Sequence, residues 1–432
     1  HHHPFLYALR SDLLLGNLKL IMEPWDLGNL GWRTGQFSVP FAEWNDRFRD
    51  TARTFWLEDV DGGSDFGRIS LQEMSTRLCG SADLFATEPG RGAPASINFV
   101  SCHDGFTLTD LTRYRSKHNE ANGENNNDGS SVNHSANFGV EGVTDDPDVI
   151  AAREQAAMNM IGMLLLSLGT PMMLAGDEFR NTQDGNNNAY CQDNDITWLK
   201  WDWMYSTNKT REMRRLETVS RLVALRKSLD LYHHEDFFTR LTQIGLLKPS
   251  SRVQWFLPDG TTPMERDWFD LGVRSFTMRL LSNSEVDVCI VVNGTADDRT
   301  FRLPPDTHWT PKWCSAEING RRAGHGTQVE ECDLNGDTTV WTQHVPDASE
   351  TVLKMVKEVA MQRTESSTEN EADTIKFAMP VTDHAANGTS SAPRDEVSAD
   401  MPDAPVDDTP DTPVDDNVWT MPALSITLMK QV

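Results

Sequence analysis

Nowhere among the six cysteines of this 432-residue chain (Cys79, Cys102, Cys191, Cys289, Cys314, Cys332) does a CxxC pair occur. The spacing therefore offers neither a zinc cluster nor a dense disulfide framework, and a reducing compartment is the default. Long apolar runs are missing too: none reads as approaching the roughly 20 residues of a membrane span, and no charged-then-apolar leader opens the chain. A soluble protein without a membrane partner is expected. Basic residues are scarce, 39 Lys and Arg against 65 Asp and Glu, for a net charge of −26. A field of that sign repels nucleic acid and anionic membranes, so a neutral substrate fits better. The chain has no initiator methionine and opens HHHPFLYALRSD, which reads as a fragment whose first three histidines are either native or a tag remnant.

What is present is an alternation. Residues 1–205 interleave apolar strand-like runs (LKLIM, INFV, PMML) with helical stretches, the pattern of α/β units. Asp146 can cap a helix that Pro147 starts and that Gly169 and Pro171 end. Each strand-like run carries polar residues at its carboxyl end, the layout of a (β/α) barrel whose sites lie on that face. A whole barrel takes about 250 residues. Residues 1–230 are therefore expected to form a partial barrel, its C-terminal half, closed by an amphipathic helix over 206–229 with Met213, Leu216, Val219, Leu222 and Val223 on one side. Residues 231–350 hold short β-rich runs, predicting a small antiparallel β-sandwich. Residues 364–417 contain 14 Asp and Glu against 2 Lys and Arg. Such a stretch cannot offset its ordering entropy by burial, so 351–417 is expected to be a disordered insertion, with 418–432 the sandwich's last strand.

Several residues invite chemistry. Glu23 ends a strand against Pro24 and Trp25, where partial desolvation would raise a carboxyl toward proton donation at neutral pH. An isolated EPWD is more often only a polar strand end. His103 and Asp104 end another strand and can hydrogen-bond sugar hydroxyls, although a lone HD is more often a structural pair. Asp177 and Glu178 divide evenly between cap and function. In the amide-rich 185–203 block, Asn186, Asn187 and Asn188 can bind hydroxyls, Tyr190 and Trp198 can stack on a pyranose, and Trp201 and Trp203 read as core. The polar loop 117–139 is long enough to be functional or disordered. No oxygen-ligand loop of calcium type is present, so neither a metal nor a cofactor is expected.

KLIMEPWDLG, FAEWNDRFRDTARTFW, NFVSCHDGFTLTDL, KHNEANGENNNDG, LLLSLGTPMMLAGDEF and GNNNAYCQDNDITWLKWDW follow one another in this chain. In that order they resemble the isoamylase-type glycogen and starch debranching enzymes of the α-amylase superfamily, over about residues 1–305. The resemblance implies that Glu23 is the general acid/base and that Asp104, the second catalytic residue here, grips the distorted sugar at the cleavage subsite together with His103; Trp25 is expected to bind substrate. It implies a retaining mechanism with an aspartate nucleophile in a GFRFD-like motif on the preceding strand. Residues 1–17 hold no such motif, and Asp12 falls in a helix. The expectation is that this chain alone is inactive while its parent cleaves α-1,6 branch points of glycogen, starch or limit dextrins, in a bacterial cytoplasm or a plastid stroma. Alternatives are a non-catalytic glucan-binding or scaffolding paralogue, an α-1,4-acting amylase and a branching transferase. Oligomeric state leaves no signature.

Overall fold

The structure, a computed structural model, describes residues 3–26, 28, 30–58, 68–87, 89–233, 237, 253–281, 287–305, 308–326, 328–331, 417–423 and 425–431. The acidic stretch expected to be an insertion lies outside the described residues except for Asn417.

A helix, α1 (Pro4–Ser11), precedes four short strands: β1 (Ile21–Met22), β2 (Ala42–Asn45), β3 (Ser96–Asn98) and β4 (Thr170–Pro171). They form one parallel sheet in sequential order, aligning Met22 with Glu43 and Ser96, and Asn45 with Asn98 and Pro171. Parallel neighbours need crossovers. Helices α2 (Asp46–Arg53), α3 (Leu71–Leu78) and α4 (Ala82–Phe85) join β2 to β3, and α5 (Leu108–Leu111) and α6 (Pro147–Leu166) join β3 to β4. Parallel strands usually read as continuous apolar runs, yet Glu43, Asn45, Ser96 and Asn98 are all buried here. They are tolerated because each is bonded. Asn45 Nδ2 donates to Ser81 Oγ and Ser96 Oγ at 2.8 Å, Asn98 Nδ2 donates to the Leu168 carbonyl at 2.8 Å, and Glu43 pairs with Arg91 at 2.6 Å.

Helix α6 begins as its sequence dictates. Asp146 Oδ1 accepts from the N–H groups of Asp148 and Val149 at 3.0 and 3.3 Å, and Pro147 fills the first helical position. The expectation that no apolar run approaches membrane-span length needs correcting: this 20-residue helix is long and apolar enough to cross a membrane. Its apolarity has another cause, since 78 % of its apolar window is buried inside the protein. Helix α7 (Arg211–Ser228) packs beside it, capped by Thr210 and burying Met213, Leu216, Val219, Leu222 and Leu225, while Val223 is only half-buried.

The remaining strands are antiparallel. β5 (Val253–Phe256), β6 (Ser275–Leu280), β7 (Val288–Asn293), β8 (Arg299–Arg302), β9 (Trp309–Cys314), β10 (Arg321–Arg322), β11 (Gly324–His325), β12 (Glu330–Glu331), β13 (Val418–Met421) and β14 (Ser425–Gln431) form three sheets, ordered β5-β6-β7-β14-β9, β11-β13-β8 and β10-β12. The run expected to be a single closing strand, 418–432, is two. Pro422 interrupts it, and Asn293 Nδ2 donates to the Met421 and Pro422 carbonyls at 3.2 and 3.0 Å, fixing the step from one sheet to the other. The uninterrupted apolar run of β7 is explained by burial on both faces. Val288, Ile290 and Val292 join the main core with residues of α6, while Cys289 and Val291 meet Phe301, Trp419 and Met421 of the three-stranded sheet.

Gly162 of α6 sits where an added Cβ would lie 2.7 Å from Ile426 Cγ2 and 2.9 Å from Trp313 Cη2, both of them fully buried. Alanine gains roughly 1 kcal/mol of helix propensity over glycine, but overpacking a tight core loses about 1–3 kcal/mol. Neither a β-branched strand residue nor an indole can swing aside, so the second term wins. Gly162→Ala is expected to lower the denaturant midpoint of unfolding.

Candidate active site

Glu23 is the residue immediately after β1, and His103 and Asp104 lie five and six residues after β3, so all three follow the carboxyl ends of the two parallel strands that flank β2. Aromatic rings bridge the two segments. Trp25 lies 6.2 Å from Trp44 of β2 and 6.5 Å from Phe99, and Trp44 in turn lies 5.5 Å from Phe99 and 5.7 Å from His103. Trp44 is a link that reading the sequence missed. Its signal was the alternation in AEWN, which buries Glu43 and Asn45 and turns the indole to the other side. The expected desolvation of Glu23 is corrected: Pro24 is buried and Trp25, part of the ring array, is half-buried, but Glu23 is exposed. His103 and Asp104 are exposed as well, at 63 % and 56 % of their side chains.

The loop carrying His103 and Asp104 is gripped from several directions. Arg53 Nε donates to the Val100 carbonyl at 2.7 Å, and burial pulls that guanidinium's pKa down to about 10. Ser101 Oγ donates to Asp177 Oδ2, and the Leu108 N–H donates to Asp177 Oδ1 at 2.9 Å. Gly105, at φ +89°, donates its N–H to the Asn187 carbonyl at 2.8 Å. Asp110 answers from the loop side: its carboxylate accepts from Thr182 Oγ1 and from the Gln183 N–H at 2.8 Å. Both acids are fully buried, and burial raises both; Asp177 is pushed up to about 6.

The asparagines expected to meet sugar hydroxyls are otherwise employed. Asn186 and Asn187 are buried, and Asn188 is half-buried. Asn187 Nδ2 donates to the Ser130 carbonyl and to Asn133 Oδ1 at 2.8 Å, and its Oδ1 accepts from Asn119 at 2.9 Å. Asn186 Nδ2 donates to Asn122 Oδ1, and Asn188 Nδ2 to Asp128 Oδ2, each at 2.9 Å. These amides knit the 117–133 loop to the 183–192 segment. Gly129 is required at their junction, since at φ +71° a Cβ would lie 2.3 Å from Asn187 Oδ1. Asparagine side chains satisfy one another as readily as they satisfy a ligand, so the clustering alone could not tell these uses apart. Tyr190 is 70 % exposed, its hydroxyl donating to Glu124 at 2.5 Å, and the exposed Trp198 donates Nε1 to Asp193 at 3.0 Å. Trp201, expected in the core, is partly exposed; it and Trp203 lie against Phe179 at 4.8 and 5.3 Å.

Among the described residues, Cys102, His103 and Asp104 bring three possible metal-ligand atoms within 4.8 Å of one another. Burial and the hydrogen bond to Asp104 push the Cys102 thiol up to about 12, which disfavours the thiolate that a metal requires. The thiol instead donates to Asp104 Oδ1 at 2.8 Å and orients that carboxylate.

No family model matches the chain. It is 39 % identical over 333 residues to a glycogen debranching enzyme of Pectobacterium atrosepticum, covering 77 % of this chain and 46 % of the relative. It is 41 % identical over 275 residues to a glycogen operon protein GlgX homolog of Mycobacterium tuberculosis, covering 63 % of this chain and 36 % of the relative. Among solved structures, the GBS pullulanase SAP in complex with maltotetraose superposes with a TM-score of 0.51 at 10 % identity, covering 96 % of this chain and 43 % of that one, a likeness of fold alone. By its sequence the chain belongs with the debranching glycoside hydrolases. It spans about half the length, or less, of the curated relatives it matches.

Asp177 yields a pH prediction. Its folded pKa of about 6 lies above its ordinary 3.8, so the folded protein holds the proton more tightly than the unfolded chain does. The stability this contributes is complete below about pH 4 and is lost as pH rises through 6, a change of about 3 kcal/mol. The stability of the wild type relative to Asp177→Asn should therefore fall by that order between pH 4 and 7, read from urea unfolding at each pH.

Proposed function

We propose that this chain supplies the proton-donating and sugar-gripping side of a retaining α-1,6-glucosidase that acts on the branch points of glycogen, starch or limit dextrins. What carries the reading is the ring array from Trp25 through Trp44 and Phe99 to His103, which spans the gap between the Glu23 strand end and the Asp104 loop. The debranching names of the longer relatives support the same reading.

In this reading Glu23 protonates the glycosidic oxygen as the bond breaks and then takes a proton from the water that attacks the glycosyl intermediate. Asp104 accepts hydrogen bonds from hydroxyls of the bound sugar, strengthened by its charge, and His103 adds a polar partner beside it. Trp25 faces the apolar side of a glucose ring, and the exposed rings of Tyr190 and Trp198 stack on residues further along the chain of sugars. The aspartate nucleophile lies outside residues 1–432. Asp12 is no substitute: its Oδ1 accepts from the N–H groups of Leu14 and Leu15 at 2.8 and 3.0 Å, as a local cap. The four parallel strands are then the C-terminal half of a (β/α)8 barrel, completed by β/α units outside this chain. Large apolar side chains left exposed on and before β1, among them Leu13 at 90 % and Ile21 at 49 %, support a covering element there.

Residues 1–432 supplied with glycogen or limit dextrin are expected to release no reducing ends above background. Robust turnover by this chain alone would overturn the division of roles. Where the barrel is completed, Glu23→Gln should lower the hydrolytic rate on the order of a hundredfold or more while glucan is still retained. Undiminished hydrolysis would remove Glu23 from the mechanism.

A further inference from the structure

We propose that Asp177 is a positioning residue, its buried carboxylate fastening both stems of the His103–Asp104 loop so that Asp104 meets a glucan in one fixed orientation. This rests on the role given to Asp104 above.

The loop leaves β3 and enters α5, and Asp177 bonds to it on both sides of the two exposed residues. Ser101, two residues before His103, donates its hydroxyl to Oδ2, and Leu108, four residues after Asp104, donates its N–H to Oδ1 at 2.9 Å. The other holds act at single points: Arg53 takes the Val100 carbonyl, and Asn187 takes the Gly105 N–H. Asp177 is itself held by a rigid frame. Its carbonyl accepts from Arg215 Nη1 of α7 at 3.4 Å, and Arg215 pairs with Glu154 of α6 at 2.8 Å, all of these groups being buried. Two long packed helices thus fix the backbone of Asp177, and its side chain passes that fixity to the buried stems of a loop whose tip, His103 and Asp104, is exposed. A carboxylate stripped of water binds its donors more strongly than a neutral acceptor does, and burial has raised this one to about 6. An asparagine in its place keeps the shape but turns an N–H₂ toward one of the two donors.

Cys102 reports on the loop. Its thiol is buried one residue before His103, whereas Cys289 and Cys314 are buried in the antiparallel sheet. Residue-resolved alkylation with iodoacetamide is expected to run about tenfold or more faster at Cys102 in Asp177→Asn, the effect of losing a charged hydrogen bond. Cys289 and Cys314 should keep their wild-type rates. Ser101→Ala, which removes one of the two fastenings, should give a smaller rise at Cys102. Unchanged Cys102 reactivity in both variants overturns the proposal, as does an equal rise at all three thiols in both, because Asp177 would then support the whole fold rather than the loop.

Retention on glycogen separates this inference from the reading beneath it. Asp104→Asn and Asp177→Asn are both expected to weaken retention. If only Asp104→Asn does so, Asp177 does not position the loop for sugar. If Asp104→Asn has no effect, the glucan reading fails, and the thiol rates still decide whether Asp177 holds the loop.

Discussion

Two buried carboxylates exchanged between neighbouring segments carry the organisation of the rim. Asp177, beyond β4, accepts from the loop that follows β3, and Asp110, within α5, accepts from the segment that follows Asp177. Each acid is desolvated, and each would be a liability if its donors were missing. The exchange makes the two segments depend on each other: neither can move without stranding a charge in the interior. Because one of them bears the exposed His103 and Asp104, the constraint sits where orientation matters most for binding a polar ligand.

The amide network applies the same logic with neutral groups. Asn119, Asn122, Asn133 and Asn186 to Asn188 join two long polar loops through their side-chain amides. The Asn187 side chain is consumed by this mesh, and its carbonyl is thereby fixed in place to receive Gly105. A polar loop of this length is normally mobile or functional. Here it is ordered by side chains that in another setting would contact ligand.

Much of the framework was legible in the sequence, and what escaped has physical reasons. The span of α6 was announced by Asp146, Pro147 and Gly169, because caps and breakers act locally. The end of β1 at Glu23 and the loop after β3 that carries Asp104 could be found because an apolar run gives way to charge. The polar ladder inside the parallel sheet could not be, since Glu43, Asn45, Ser96 and Asn98 look like surface residues until their partners, as far away as Leu168, are known. The exposure of Glu23 escaped for a related reason: adjacency to proline and tryptophan does not say which way they turn. Likewise, nothing local in VWTMPALSITLMK shows that Pro422 hands the chain from one sheet to another.

That handover bears on how much the chain can vary. β14 pairs with β7 and β9, and β13 with β8 and β11, although more than eighty positions separate β12 from β13. The two sheets therefore fix where the chain leaves and where it returns. A single residue gained or lost within Ser425–Gln431 would turn the inward side chains beyond it, in a strand paired on both sides, to the wrong face.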